Sequence, residues 1–226
     1  HGKVRLVLNG DHIQGFNYTS FAQESGKMGL VNVDDQKALI GAVVELAFSQ
    51  CNKDDLENLQ VHITTGNHEE NTGYSWMGTH HNSFVEQTFA KVFAKQGIFD
   101  PKIVRYTDAS TDDGSHFKYP VAQFDVGDYG FTSQHQMLYR GAKGGGSDPI
   151  FQGRSASTTL AGMHSRQDFI NFAHWHIGRQ GYWNGKVFVV NRSFASQSGW
   201  EYGLGYSDSL RGYTNIFVGN GEAPVV

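Results

Sequence analysis

The stretch VHITTGNHEEN, residues 61–71, decides how the rest of the chain is interpreted. Residues 61–65 have the β-branched character of a short buried strand, and Gly66 then allows a turn. The polar run that follows contains Asn67, His68, Glu69 and Glu70. Asparagine and glutamate are both depleted in strand interiors. A buried strand that ends in amide, imidazole and carboxylate groups is typical of a functional site at the edge of a sheet.

Strand and helix signals alternate on both sides of this stretch. Buried-type strands are predicted at Val4–Leu8, Tyr129–Ser133, Phe169–Phe172, Val187–Val190 and Tyr213–Val218. Because helix patterns separate several of these strands, the sequence predicts an α/β fold.

Two amphipathic helices are predicted between the strands. The first runs from Asp34 to about Cys51, and Asp34 or Asp35 caps it. Its apolar residues recur at helical spacing and predict one buried stripe: Leu39, Ile40, Val43, Val44, Ala47 and Phe48. The second begins with a capping box of Ser83 and Glu86 and is closed by Gly97.

Composition sets limits on the class of protein. The chain has 226 residues, 38% of them hydrophobic, which is enough for one substantial core and a single domain. A net charge of −4 argues against a broadly basic surface for nucleic acid. Cys51 is the only cysteine, so an internal disulfide is excluded and a reducing compartment is favoured. With no membrane-spanning run and no signal peptide, we expect a soluble, cytoplasmic protein.

Polar side chains follow four of the predicted strands. The residues are Asp11, Asn67, His135, and the pair His174 and His176. In α/β sheets, ligands collect at the carboxyl ends of strands, because helices cover the faces and loops converge there. Oxygen and imidazole donors suit Mn, Fe or Zn better than a thiolate site or a calcium cage does. The pattern therefore indicates a metal site.

The ordered blocks NGDHIQG (9–15), TTGNHEEN (64–71), TSQHQ (132–136) and FAHWHIG (172–178) resemble those of the calcineurin-like metallophosphoesterases. The tail NGKVFVVNRSFASQSGWEYGLGYSD (184–208) is similar to that of phage-type members of the family. The resemblance implies a four-layer α-β-β-α sandwich with two mixed sheets and two divalent metal ions, Mn, Fe or Zn. It implies a phosphoesterase encoded by a phage or its host and active in the cytoplasm.

The resemblance also implies a role for each site residue. Asp11 would bridge the two metal ions, while Asn67, His135 and His174 would ligate the second ion. His176 would ligate the first ion. His68 would remain unligated and donate to a phosphate oxygen or to the leaving group. Glu69 or Asp168 would orient a histidine without binding the metal itself. The other histidines, including His62, receive no role in the site.

Departures from the family pattern leave alternatives open. Gln14 and Ala173 replace a family Asp and a family Gly at positions where the change is minor. The family's opening DxH block is missing from the chain shown, so we expect a single domain over residues 1–226 that lacks its N-terminal strand, with further residues upstream. The alternative is a non-catalytic descendant that serves as a binding or structural subunit.

A remote alternative is a secreted copper oxygenase that binds copper through His1. The helices and the single cysteine argue against it, because such proteins are disulfide-bonded β-sandwiches. For the phosphoesterase, the tail favours a phosphodiester or nucleotide substrate, nucleic acid included, over a phosphomonoester. No membrane partner is expected, and the sequence does not specify an oligomeric state.

Overall fold

The computed structural model describes residues 2–12, 33–66, 83–107, 120–135, 167–174, 178–183, 185–191, 214 and 216–218. The chain divides into two compact units, residues 1–107 and 108–226. Helices and strands intermix along the chain, and the strands form two sheets, which confirms the α/β class. The single domain and the four-layer arrangement stay predictions. In these parts of the chain, no helix is long and apolar enough to cross a membrane.

The first unit contains a parallel sheet of three strands in the order β1-β2-β3. The strands are β1 (Val4–Asn9), β2 (Leu59–Thr64) and β3 (Ile103–Arg105). Central β2 is buried at every position except Gln60, as expected for a parallel strand that is covered on both faces. Because parallel strands end at the same edge, the residues that follow β1 and β2 lie side by side.

Three helices belong to this unit: α1 (Val33–Phe48), α2 (Lys53–Glu57) and α3 (Ser83–Lys95). The two long helices were predicted, and α2 was not. Asp34 and Asp35 lie inside the first turn of α1 instead of preceding it. They still favour the helix there, because acidic groups stabilise the positive end of the helix dipole.

The core of this unit forms between α3 and the sheet. Val85, Phe89, Val92 and Phe93 recur at the spacing of one helix face and are all buried. Gly97 takes a φ of 75° two residues after α3, which confirms the predicted helix stop.

The buried stripe predicted for α1 is only partly observed. Val44 and Phe48 pack against the core. Leu39 and Val43, however, are 46% and 53% exposed, and Ala47 is also exposed. Apolar residues occupy two faces of this helix, so periodicity alone could not select the face that packs.

The second unit contains a five-stranded mixed sheet in the order β4-β5-β6-β8-β7. Its strands are β4 (Val121–Val126), β5 (Tyr129–Gln134), β6 (Phe169–Phe172), β7 (Arg179–Trp183) and β8 (Lys186–Val190). The central strands β5, β6 and β8 are parallel, and an antiparallel partner lies at each edge. All three parallel strands were predicted from sequence; β3, β4 and β7 were missed.

The strand predicted at Tyr213–Val218 falls partly outside the described residues. Of that segment the structure describes residues 214 and 216–218, and there only Phe217 forms an isolated bridge.

Candidate metal centre

In the first unit, β1 ends in a left-handed turn that carries Asp11. Gly10 and Asp11 have φ values of 75° and 54°. A left-handed φ costs a residue with a side chain about 1–2 kcal/mol. The preceding residue, Asn9, is buried, and its side-chain oxygen accepts a hydrogen bond from Thr64 Oγ1 at 3.0 Å. This bond ties the end of β1 to β2, so Asp11 starts from a fixed point at the carboxyl edge of the sheet.

Gly66 provides the space into which the Asp11 turn packs. A Cβ atom at Gly66 would lie 2.1 Å from Asp11 Oδ1 and 2.6 Å from the Asp11 backbone nitrogen. Carbon atoms normally approach other heavy atoms to about 3.5–4.0 Å, so a larger residue cannot be accommodated without movement. The glycine was predicted to permit a turn, but its φ is not left-handed. Close approach of Asp11 is the physical reason for glycine here.

In the second unit, His135 and His174 come together. His135 directly follows β5 and is 1% exposed, while His174 follows β6 by two residues and is half-buried. The ring centroids lie 5.2 Å apart, with an interplanar angle of 80°. The backbone N–H of Ala173 donates to the His135 carbonyl at 3.1 Å, which fixes one chain end against the other. The structure therefore brings two of the predicted ligands together.

His174 is also held in a left-handed conformation, with a φ of 70°. In the described part of the chain, Asp11 and His174 are the two non-glycine residues with a positive φ. Backbone strain of this kind is found preferentially at functional sites, where the surrounding structure imposes it. Both strained residues were selected as metal ligands from sequence, although nothing in the sequence indicated the strain.

Asp168, which was proposed to orient a histidine, lies at the other end of β6 from His174. It directly precedes the strand, and its Oδ2 atom accepts a hydrogen bond from the Gly130 backbone N–H at 2.8 Å. The same carboxylate favours the charged form of Lys186, whose pKa burial lowers. These contacts join β5, β6 and β8 at their amino ends.

His62 is a buried histidine with structural contacts. Its Nδ1 atom lies 2.9 Å from Tyr106 Oη, and the two rings stack at a centroid distance of 5.9 Å. Burial, assisted by the charge of Arg5, lowers the pKa of His62 to about 4. His62 is therefore a neutral, buried residue of the first unit. This agrees with the sequence, in which no motif gave His62 a role in the site.

Five residues that were given a binding or catalytic role from sequence lie outside the described residues: His1, Asn67, His68, Glu69 and His176. Their roles therefore stay predictions.

Each unit supplies donors of a kind that suits a divalent cation. Asp11 offers a carboxylate oxygen, and His135 and His174 each offer one ring nitrogen. Carboxylate and imidazole ligands suit Mn, Fe or Zn, whereas a calcium cage needs more oxygen atoms. The residues present thus fit the predicted kind of metal.

Comparisons with known proteins give distant structural similarities. No family model matches the chain, and no curated protein matches it. The chain is similar to a Vps29 variant from Entamoeba histolytica, with a TM-score of 0.38 and 12% identity over 78% of this chain and 76% of that one. It is also similar to an uncharacterised protein from Streptococcus pneumoniae, described as a predicted phosphoesterase, with a TM-score of 0.35 and 12% identity over 70% of this chain and 69% of that one. Scores at this level do not identify the activity of the chain.

Proposed function

We propose that this protein is a metal-dependent phosphoesterase in which His135 and His174 are ligands of one metal centre, and in which Asp11 joins them as the family resemblance implies. The observation that carries the proposal is the His135–His174 pair, two imidazoles brought together at the carboxyl ends of neighbouring parallel strands. The strained turn at Asp11 supports it separately, because this carboxylate residue lies just beyond β1, at the carboxyl edge of the first unit's sheet.

The remaining ligands are proposed from the family resemblance. Asn67 and His176 complete the set for two divalent ions, Mn, Fe or Zn. When bound, such ions lower the pKa of a water molecule and neutralise charge on a phosphoryl group. Packing against Gly66 holds the Asp11 carboxylate in place. His68 donates a hydrogen bond to a phosphate oxygen or to the leaving group, and Glu69 orients a histidine.

The proposed substrate is a phosphate ester, with a phosphodiester or nucleotide preferred over a phosphomonoester. The preference rests on the phage-type tail. One metal core of this kind is compatible with many phosphate esters, so the choice among them depends on the loops around the site.

The proposal is tested by metal content and hydrolysis together. Metal analysis of the purified protein should find a bound transition metal, and hydrolysis of bis-p-nitrophenyl phosphate should depend on added Mn²⁺. Asp11→Asn removes the ligand charge but keeps a residue that tolerates a left-handed φ, so the fold should survive. We expect a loss of metal affinity of at least about tenfold to a hundredfold, the range seen when only an outer-shell partner is removed.

Asp100→Asn is the matched control, since Asp100 is an exposed carboxylate in the same unit. It should leave metal affinity and hydrolysis unchanged. Hydrolysis that persists equally in Asp11→Asn and in the wild type would exclude the proposed centre. Bound metal without hydrolysis of any phosphate ester would instead favour the non-catalytic descendant.

A further inference from the structure

Three neighbouring parallel strands of the second unit end at the same edge of the sheet. Gln134, Phe172 and Val190 are register partners across β5, β6 and β8. Beyond these residues, the Ala173 N–H donates to the His135 carbonyl at 3.1 Å, and the Asn191 N–H donates to the Phe172 carbonyl at 2.8 Å. His135, Ala173 and Asn191 therefore lie together at the carboxyl edge of the sheet, although the register of β5 and β6 shifts by one residue there.

His135 and Asn191 follow the two strands that flank β6, and both lie at the carboxyl edge of the sheet. Neighbouring strands are about 4.8 Å apart, so the backbones of β5 and β8 are separated by roughly 10 Å. An imidazole and an amide side chain can reach a common ion across that distance. The edge thus places a second polar residue near the histidine pair.

The side-chain oxygen of Asn191 is buried, and within the described part of the chain no donor reaches it. A buried carbonyl without a partner is costly, and such groups in native proteins usually contact an ion or water. An amide oxygen is also a neutral oxygen ligand of the kind that Mn²⁺ accepts. The chemistry of this oxygen, together with the place of Asn191 at the edge that carries the histidine pair, favours a contact with the metal centre.

We propose that Asn191 is a further cation-binding residue of the centre formed by His135 and His174, and that its Oδ1 atom contacts the divalent cation or a water molecule on it. The inference rests on the proposed function, since it assumes that the histidine pair binds a metal. None of the four family-like blocks contains Asn191, which lies in the tail at residues 184–208.

Asn171 provides a matched control in the same strand array. It lies inside the strand array, between Ser133 and Val189. Its Nδ2 atom donates to Ser133 Oγ at 3.0 Å, and its Oδ1 atom is likewise buried without a donor among the described residues. Two residues along a strand span roughly 6.6 Å. Asn171 therefore has the same amide side chain as Asn191 but lies away from the sheet edge.

The test compares Mn²⁺ binding, measured by titration calorimetry, and unfolding of the metal-free protein for the full chain and three variants. Asn191→Leu keeps the size of the side chain but removes the oxygen. We expect its Mn²⁺ affinity to fall about tenfold to a hundredfold, while the metal-free protein unfolds at the same denaturant concentration or a higher one. Asn191→Asp keeps an oxygen and should retain at least wild-type affinity, whereas Asn171→Leu should bind Mn²⁺ within about twofold of wild type.

Three outcomes would overturn the inference. Wild-type affinity in Asn191→Leu would exclude Asn191 from the site but leave the proposed function standing. Equal losses in Asn191→Leu and Asn171→Leu would show a general effect on the sheet. A wild-type protein that binds no Mn²⁺, Zn²⁺ or Fe²⁺ would reject the proposed function and this inference together.

Discussion

Replacing His62 by phenylalanine is expected to remove most of the acid sensitivity that this side chain gives to the first unit. His62 is 1% exposed on β2. Burial, with a smaller contribution from the charge of Arg5, lowers its pKa from 6.5 to about 4. Because the folded-state pKa lies below the unfolded one, protons bind preferentially to the unfolded chain. The free energy of unfolding therefore decreases as the pH falls through this interval.

The size of the effect follows from the two pKa values. The free energy of unfolding falls by about 1.4 kcal/mol for each unit of pH over which only the unfolded chain binds the proton. Between 6.5 and about 4, His62 therefore costs the folded state about 3 kcal/mol. Above that interval both states are neutral and the contribution is zero, and below it no further loss is expected. Total stabilities are commonly about 5–15 kcal/mol, so the loss is large enough to measure.

The assay is urea denaturation followed by far-UV circular dichroism, at a series of pH values from about 7 to about 4. Wild type and His62→Phe share every other titrating group, so the change with pH in the difference between them reports His62. Tyr106→Phe is the matched control. It removes the hydroxyl that lies 2.9 Å from His62 Nδ1 but keeps the stacked ring and therefore most of the burial.

Two results would contradict the reasoning. A difference between wild type and His62→Phe that stays constant from neutral to acidic pH would mean that His62 has the same pKa in the folded and the unfolded chain. If Tyr106→Phe abolished the acid sensitivity as fully as His62→Phe does, the hydrogen bond, and not burial, would be its cause.

Two further predictions concern the site and the sheet that supports it. Gly66→Ala places a Cβ atom 2.1 Å from Asp11 Oδ1. We expect the free energy of unfolding to fall by about 1–3 kcal/mol and Mn²⁺ binding to become weaker. Unchanged metal affinity would show that the Asp11 carboxylate does not need this packing. Asp168→Ala leaves the Gly130 N–H without its acceptor at 2.8 Å. Denaturation should show a free energy of unfolding that is lower by about 1–3 kcal/mol, whereas Mn²⁺ affinity should stay at the wild-type value. A drop in Mn²⁺ affinity would support the orienting role that was predicted for Asp168.

The elements that carry the candidate ligands were predictable because their signals are local. The strands near Val4, Tyr129, Phe169 and Val187 are short apolar runs with clear stops, and each was found close to its predicted bounds. Short edge strands such as β3 (Ile103–Arg105) were missed, since three residues give no periodic pattern.

Packing partners were not predictable from the same signals. Leu39 and Val43 have the spacing of a core face, yet they are exposed, because the choice between two apolar faces of α1 depends on what packs against each. His62 has no motif, and only its position in the central strand of a covered sheet makes it a neutral, buried base.

By itself the sequence determined which residue types follow the strands, and hence that carboxylate and imidazole donors stand at Asp11, His135 and His174. Tertiary structure alone decided that the two histidine rings meet, that Asp11 is held in a left-handed turn against Gly66, and that Asn191 lies at the same sheet edge as the histidines. The physical reason is that donor chemistry belongs to single residues, whereas pairing register and close approach arise between segments far apart in the chain.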